Sequence, residues 1–218
     1  MQSLPTDAGR QVLLPVVETI QSNAAYLSEL DGATGDGDHG INMNKGFTSF
    51  EAKIGDQPIG LSEGLNSLGN TLLTEIGGAM GPLYGTFFMT MGSTCAGQSH
   101  INAEQFAHML ESALEEVQFL GEANAGDKTL LDALIPAVAA YKQALADGND
   151  FAESLGAMAA AAEAGKESTR EMVAKLGRAS RLGERSRGHL DAGATSCSLI
   201  LTALMKGITA QLTTTRLC

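Results

Sequence analysis

Apolar residues spaced three and four positions apart recur throughout this chain, and that period admits little besides packed helices. Phe106, Met109, Leu110, Ala113, Leu114, Val117 and Leu120 fall on one helical face. Asn102 ahead of them, with Gln105 three residues on, forms a capping-box pattern. Leu130, Leu131, Leu134, Ile135, Val138 and Tyr141 make a second stripe, opened by Asp127 as N-cap. Pro136 lies inside it, where it should remove an internal hydrogen bond or kink the helix. Residues 150–173 are alanine-rich and continuous, with Asp150 as cap and Glu153 three positions later. Segments 10–29, 41–53, 61–76, 83–96 and 194–214 also read as helices. The resulting eight helices meet at glycine-rich joints, 31–40, 77–81, 121–126 and 177–193. Short joints predict antiparallel neighbours in a bundle or closed ring. With no internal repeat and no break in composition, the expectation is one all-α domain over residues 1–218.

Composition narrows the class further. Hydrophobic residues make up 44% of the chain, enough for a globular core. There is no Trp and aromatics reach only 5%, against an all-β fold. A formal net charge of -11 excludes a general nucleic-acid or anionic-membrane binder. Cys95, Cys197 and Cys218 are far apart with no CxxC, so neither a disulfide framework nor a zinc site is expected. The N-terminus MQSLPTDAGR lacks the basic-then-apolar pattern of a secretion signal. No apolar run approaches the roughly 18 residues that span a bilayer. A soluble cytoplasmic protein is expected.

The stretch DGATGDGDHGIN, residues 31–42, holds three aspartates and four glycines. At about 4 Å and an effective dielectric near 20, each like-charge pair would cost roughly 4 kcal/mol. Either the aspartates splay into water around an Asp-Gly turn or a cation sits among them. The match of Gly35-x-Gly37-x-x-Gly40 to a dinucleotide fingerprint fails, because helix rather than strand precedes it. An EF-hand fails as well, since position 12 counted from Asp36 is Phe47. No GxxxxGK[ST] occurs. A hard-cation site built from Asp31, Asp36 and Asp38 survives, with the oxygen ligands magnesium prefers. Magnesium so held keeps positions open for phosphate oxygens.

Elsewhere the chain offers matching parts. Gly77-Gly78-Ala79-Met80-Gly81-Pro82 runs into a helix whose N-terminus could receive an anion, or it is a plain interhelical turn. Residues 166–187 carry seven of the fourteen Lys and Arg, including Arg178, Arg181, Arg185 and Arg187. That patch suits phosphate, or it is a solvated helix end. His39 and His189 lie in glycine-rich loops, His108 falls beside an apolar stripe as a structural residue, and Cys95 and Cys197 read as packed thiols. No nucleophile elbow or Ser-His-Asp set is present.

In order along the chain, GDGDHGINMNKGF (35–47), GGAMGPLYGTFF (77–88), GDKTLLD (126–132) and GRASRLGERSRGHLDAGATS (177–196) closely resemble the nucleotide-binding L subunits of bacterial dihydroxyacetone kinases. The resemblance implies a barrel of eight antiparallel helices with nucleotide at one end. It implies that Asp31, Asp36 and Asp38 hold two magnesium ions bridging the phosphates. It places His39, Gly40, Ile41, Asn42, Ala79, Met80, Gly121, Leu130, Arg178, Asp191, Ala192 and Gly193 at the nucleotide, with Arg178 on a phosphate and Leu130 walling the adenine. In the phosphotransferase-dependent kind, ADP stays bound as coenzyme, is phosphorylated to ATP by a phosphohistidine partner, and passes the group to a sugar on a K subunit. Two further readings stay open: an ATP-exchanging kinase subunit independent of that system, and a nucleotide-state adaptor for a transcription regulator. The family usually has serine where this chain has Met80 and proline where it has Ala192.

Overall fold

The striped faces close on one another. The computed structural model describes residues 2–214, so Cys218 lies outside the described residues. Among the described residues, nine α-helices follow in order. They are α1 (Gly9–Ser22), α2 (Ala24–Gly32), α3 (His39–Ile54), α4 (Leu61–Glu75), α5 (Met80–Thr94), α6 (Ala103–Gly121), α7 (Leu131–Ala146), α8 (Phe151–Ser168) and α9 (Ala192–Gln211). Each helix from α3 to α9 packs on the next, α9 returns to α1, and α1 packs on α3. The ring is therefore closed. With α1 and α2 taken as one broken stave, it has the eight staves that the sequence predicts.

Local chemistry sets the ends. Both capping boxes form: Asn102 Oδ1 accepts from the Gln105 N–H at 2.8 Å, and Asp150 Oδ1 from the Glu153 N–H at 2.9 Å. The expected helix over 10–29 instead breaks at Asn23, whose side-chain amide shares the Thr19 carbonyl with the residue's own backbone N–H, at 2.8 and 3.2 Å. The expected helix over 150–173 stops at Ser168 and passes into a 3-10 turn, Thr169–Glu171. Asp127 does not cap α7; it closes a preceding turn by accepting from the Asn124 N–H at 2.7 Å. The α7 helix runs through Pro136, which lies in its second turn. α5 begins earlier than expected because proline is tolerated in a first turn, where Pro82 falls.

Three very short strands went unpredicted. β1 (Gln2–Pro5) pairs antiparallel with β2 (His100–Ile101) and with β3 (Thr213–Thr214), tying the chain's two ends to the α5–α6 connection. α9 spans 20 residues and is apolar enough to resemble a membrane span by composition, contrary to the expectation that no run comes close. It is mostly buried, against α1, α7 and α8, and so serves as a core stave. Near the strands the core holds Phe106, edge-on to Tyr141 at 5.5 Å and tilted against Phe151 at 5.6 Å. Such aromatic pairs contribute about 0.5–1.5 kcal/mol each beyond area burial.

Because successive staves reverse direction, α3, α5, α7 and α9 all point their N-termini at the end opposite the strands. The four glycine-rich joints gather there too.

Candidate functional site

That end carries a cavity of about 670 Å³, within the range of small-molecule sites. Its walls include the first residues of all four helices: His39 from α3, Met80 from α5, Leu131 from α7 and Ala192 from α9. Unpaired N–H groups and aligned dipoles at helix starts make such a convergence favourable for an anion. One wall is apolar, formed by Leu83, Val117, Leu120, Leu130 and Leu176. Asp31, Asp38, His39, Lys128, Arg178 and Asp191 bring charge or hydrogen bonding to the rest.

At the mouth, Asp31 ends α2, Asp38 precedes α3 and Asp36 lies between them. Each offers one carboxylate oxygen, and these oxygens lie within 4.8 Å of one another. Gly37, at φ 76°, makes the turn that brings them together. Gly40 lets α3 press on α2, since a Cβ there would overlap the Ala24 carbonyl oxygen. Three hard oxygen donors at this spacing fit a divalent cation such as magnesium. The Arg178 guanidinium already pairs with Asp36 and Asp38, at 3.3 Å from the latter. Arg178 thus occupies the oxygens that a divalent ion would need, and it also lines the cavity.

His39 is buried, and its Nε2 is hydrogen-bonded to Ser196 Oγ at 2.9 Å. Burial lowers its pKa to about 4, partly offset by the Asp31 charge, so the ring is neutral at pH 7. Ser196 Oγ is in turn 2.6 Å from the Tyr84 hydroxyl, which also donates to the Gly193 carbonyl at 3.1 Å. Burial drives the Tyr84 pKa well above its ordinary value and keeps it a donor. Asp191 caps α9, accepting from the Ala194 N–H at 2.7 Å. Burial, opposed by that hydrogen bond, raises its pKa to about 6.

Of the residues singled out from sequence, Asp31, Asp38, His39, Ala79, Met80, Gly121, Leu130, Arg178, Asp191, Ala192 and Gly193 line the cavity. Asp36 joins through the carboxylate cluster. Gly40, Ile41 and Asn42 stand behind His39 outside the lining, with Ile41 66% exposed and Gly40 committed to helix packing. His189 is exposed and outside the lining, and His108 is exposed on α6 rather than structural. Cys95 and Cys197 are free and buried as read. Lys128, Tyr84 and Ser196 went unnoticed as site residues. All three lie inside the motifs given above, but the side-chain contacts that join them to the site are long-range and carry no local signal.

The DAK2 domain model matches residues 33–206. The chain is 38% identical over 202 residues to the ADP-binding subunit DhaL of PEP-dependent dihydroxyacetone kinase 2 from Listeria innocua, covering 90% of this chain and 92% of that protein. It is 38% identical over 190 residues to the corresponding Escherichia coli subunit, covering 86% and 90% respectively. The crystal structure of the C. freundii dihydroxyacetone kinase with AMP-PNP and Mg2+ superposes with a TM-score of 0.67 at 27% identity, over 92% of this chain and 33% of that one. Sequence and helix order agree along nearly the whole barrel, and the chain belongs to the DAK2 domain family.

Proposed function

We propose that this chain is the ADP-binding subunit of a phosphoenolpyruvate-dependent kinase for dihydroxyacetone or a related short ketose. The observation that carries this reading is the carboxylate trio at the mouth of a cavity on which four helix N-termini converge. ADP and magnesium, when bound, would supply a diphosphate able to take a phosphoryl group from a phosphohistidine on a donor partner and release it to a sugar hydroxyl on a K subunit. Asp31, Asp36 and Asp38 would hold the ions. Arg178 would leave its carboxylates for a phosphate oxygen, exchanging one charge-assisted contact for another. The backbone at the starts of α3, α5 and α9 would surround the phosphates, with the neutral His39 ring beside them. Leu130 and the apolar wall would take the adenine. Such a site positions and neutralises charge, which is most of what phosphoryl transfer requires of a protein.

The similarity of this chain to named ADP-binding subunits over nine-tenths of its length supports the same reading. The test is calorimetric titration with ADP and magnesium, alongside native mass spectrometry of the purified chain. Tight binding, lost by at least about 100-fold in Asp36→Ala, is expected from removing a ligand of the ions. No binding by the unmodified chain, or equal binding by the variant, would contradict the assignment.

A further inference from the structure

We propose that Lys128 is a positioning residue that fixes the arginine-bearing loop over the cavity, by joining both ends of segment 172–186 to the cavity floor. Its ammonium donates to the Met172 carbonyl at 3.1 Å and to the Ser186 carbonyl. The residue is only 3% exposed, although its type is rarely buried unless its charge is answered. Its backbone sits at φ 62°, a left-handed conformation uncommon for lysine, which aims the side chain inward from the turn before α7.

The loop it holds is already closed on itself. The Gly188 N–H donates to the Arg170 carbonyl at 2.7 Å, and Arg187 Nη1 to the Glu171 carbonyl at 2.6 Å. Ser186 is fully buried; its Oγ accepts from the Ala174 N–H at 2.9 Å and donates to the Gly183 carbonyl at 2.7 Å. Such a preformed unit still needs a fixed placement relative to the barrel. The other links from the 126–132 turn come from Lys175, whose side chain is 62% exposed and whose N–H donates to the Asp127 carbonyl at 3.1 Å. Lys128 is the buried tie. Of the three donors on its ammonium, two are taken by the loop's carbonyls, and the negative charges acting on it are those of Asp191 and, more weakly, Glu171. An apolar residue of similar length could fill the space but would leave both carbonyls unanswered and the loop free to shift. Displacing a charged contact by about 1 Å is enough to cost up to about 100-fold in a positioned reaction.

This inference rests on the reading that Arg178 contacts the nucleotide phosphates. The test combines Lys128→Met and Arg178→Ala, singly and together, with calorimetric titration of ADP and magnesium and with hydrogen exchange of the full chain. Lys128→Met is expected to weaken binding on the order of 10–100-fold, as loss of a supporting partner does. Exchange should rise within 172–188 while the remaining helices stay protected. In the Arg178→Ala background it should add little, because its effect passes through that arginine. Lys128→Gln, shorter and uncharged but still an N–H donor, should fall clearly between the parent and the methionine variant in both affinity and loop protection, and it carries the test if the methionine variant does not fold. Unchanged affinity and unchanged exchange in both Lys128 variants would overturn the proposal, as would losses that simply multiply in the double variant. Unchanged affinity in Arg178→Ala alone would contradict the phosphate-contact reading instead, and loop exchange would then decide the role of Lys128 by itself.

Discussion

Asp191 gathers several opposing effects in one side chain. Burial raises its pKa from an ordinary 3.8 to about 6, while the hydrogen bond from the Ala194 N–H lowers it, Asp132 raises it and Lys128 lowers it. Below pH 3.8 both folded and unfolded chains hold the proton, so the shift has no effect on stability. As pH rises from there to about 6, the unfolded chain releases its proton first, and the folded state loses stability. Above pH 6 the loss is complete, about 3 kcal/mol at most for a shift of this size. Asn at this position would retain the cap, since Asn and Asp cap almost equally well. In nucleotide-free protein, Asp191→Asn is therefore expected to gain stability over the parent as pH rises from 4 to 7. Urea unfolding midpoints of the two proteins at those pH values check this, and a gap that stays constant would contradict it.

Among the elements, α9 invites the clearest change. Ala192 is its first helical residue, and Asp191 before it sits at φ -77° and ψ 129°, the extended region that a following proline requires. No acceptor takes the Ala192 N–H among the backbone bonds outside regular helices. Ala192→Pro should stabilise the fold by about 0.4–1 kcal/mol through the unfolded chain, seen as a higher Tm. A lower Tm would mean the ring meets the neighbours that bury Ala192. The same locality decides which features are legible in the sequence. The Asn102–Gln105 and Asp150–Glu153 boxes lie within four residues, and both form. The break at Asn23 could not be read, because AAYLSEL after it is as helical by pattern as the residues before it. The strands escaped notice because β1 finds its partners nearly a hundred residues away or more. In the site, glycine and aspartate announced Asp31, Asp36 and Asp38 through composition alone. Lys128 gave no such sign, since its partners lie 44 and 58 residues further along the chain.

At the scale of the whole molecule, alternation of direction around a closed ring does the functional placement. It sends four helix N-termini, three carboxylates and the Arg178 loop to one end and leaves the small sheet at the other. Positive helix ends alone would attract anions, and the aspartates alone would repel them. Together they suit a phosphate that arrives with its cations, which explains why a protein of net charge -11 would bind a nucleotide at its acidic mouth. Anomalous diffraction from crystals grown with ADP and manganese addresses this most directly. Two metal peaks bridging the Asp31, Asp36 and Asp38 carboxylates to the diphosphate, with Arg178 turned away from Asp36, is the expected result. Carboxylates directed into solvent with no metal between them, or a nucleotide bound elsewhere, would contradict it.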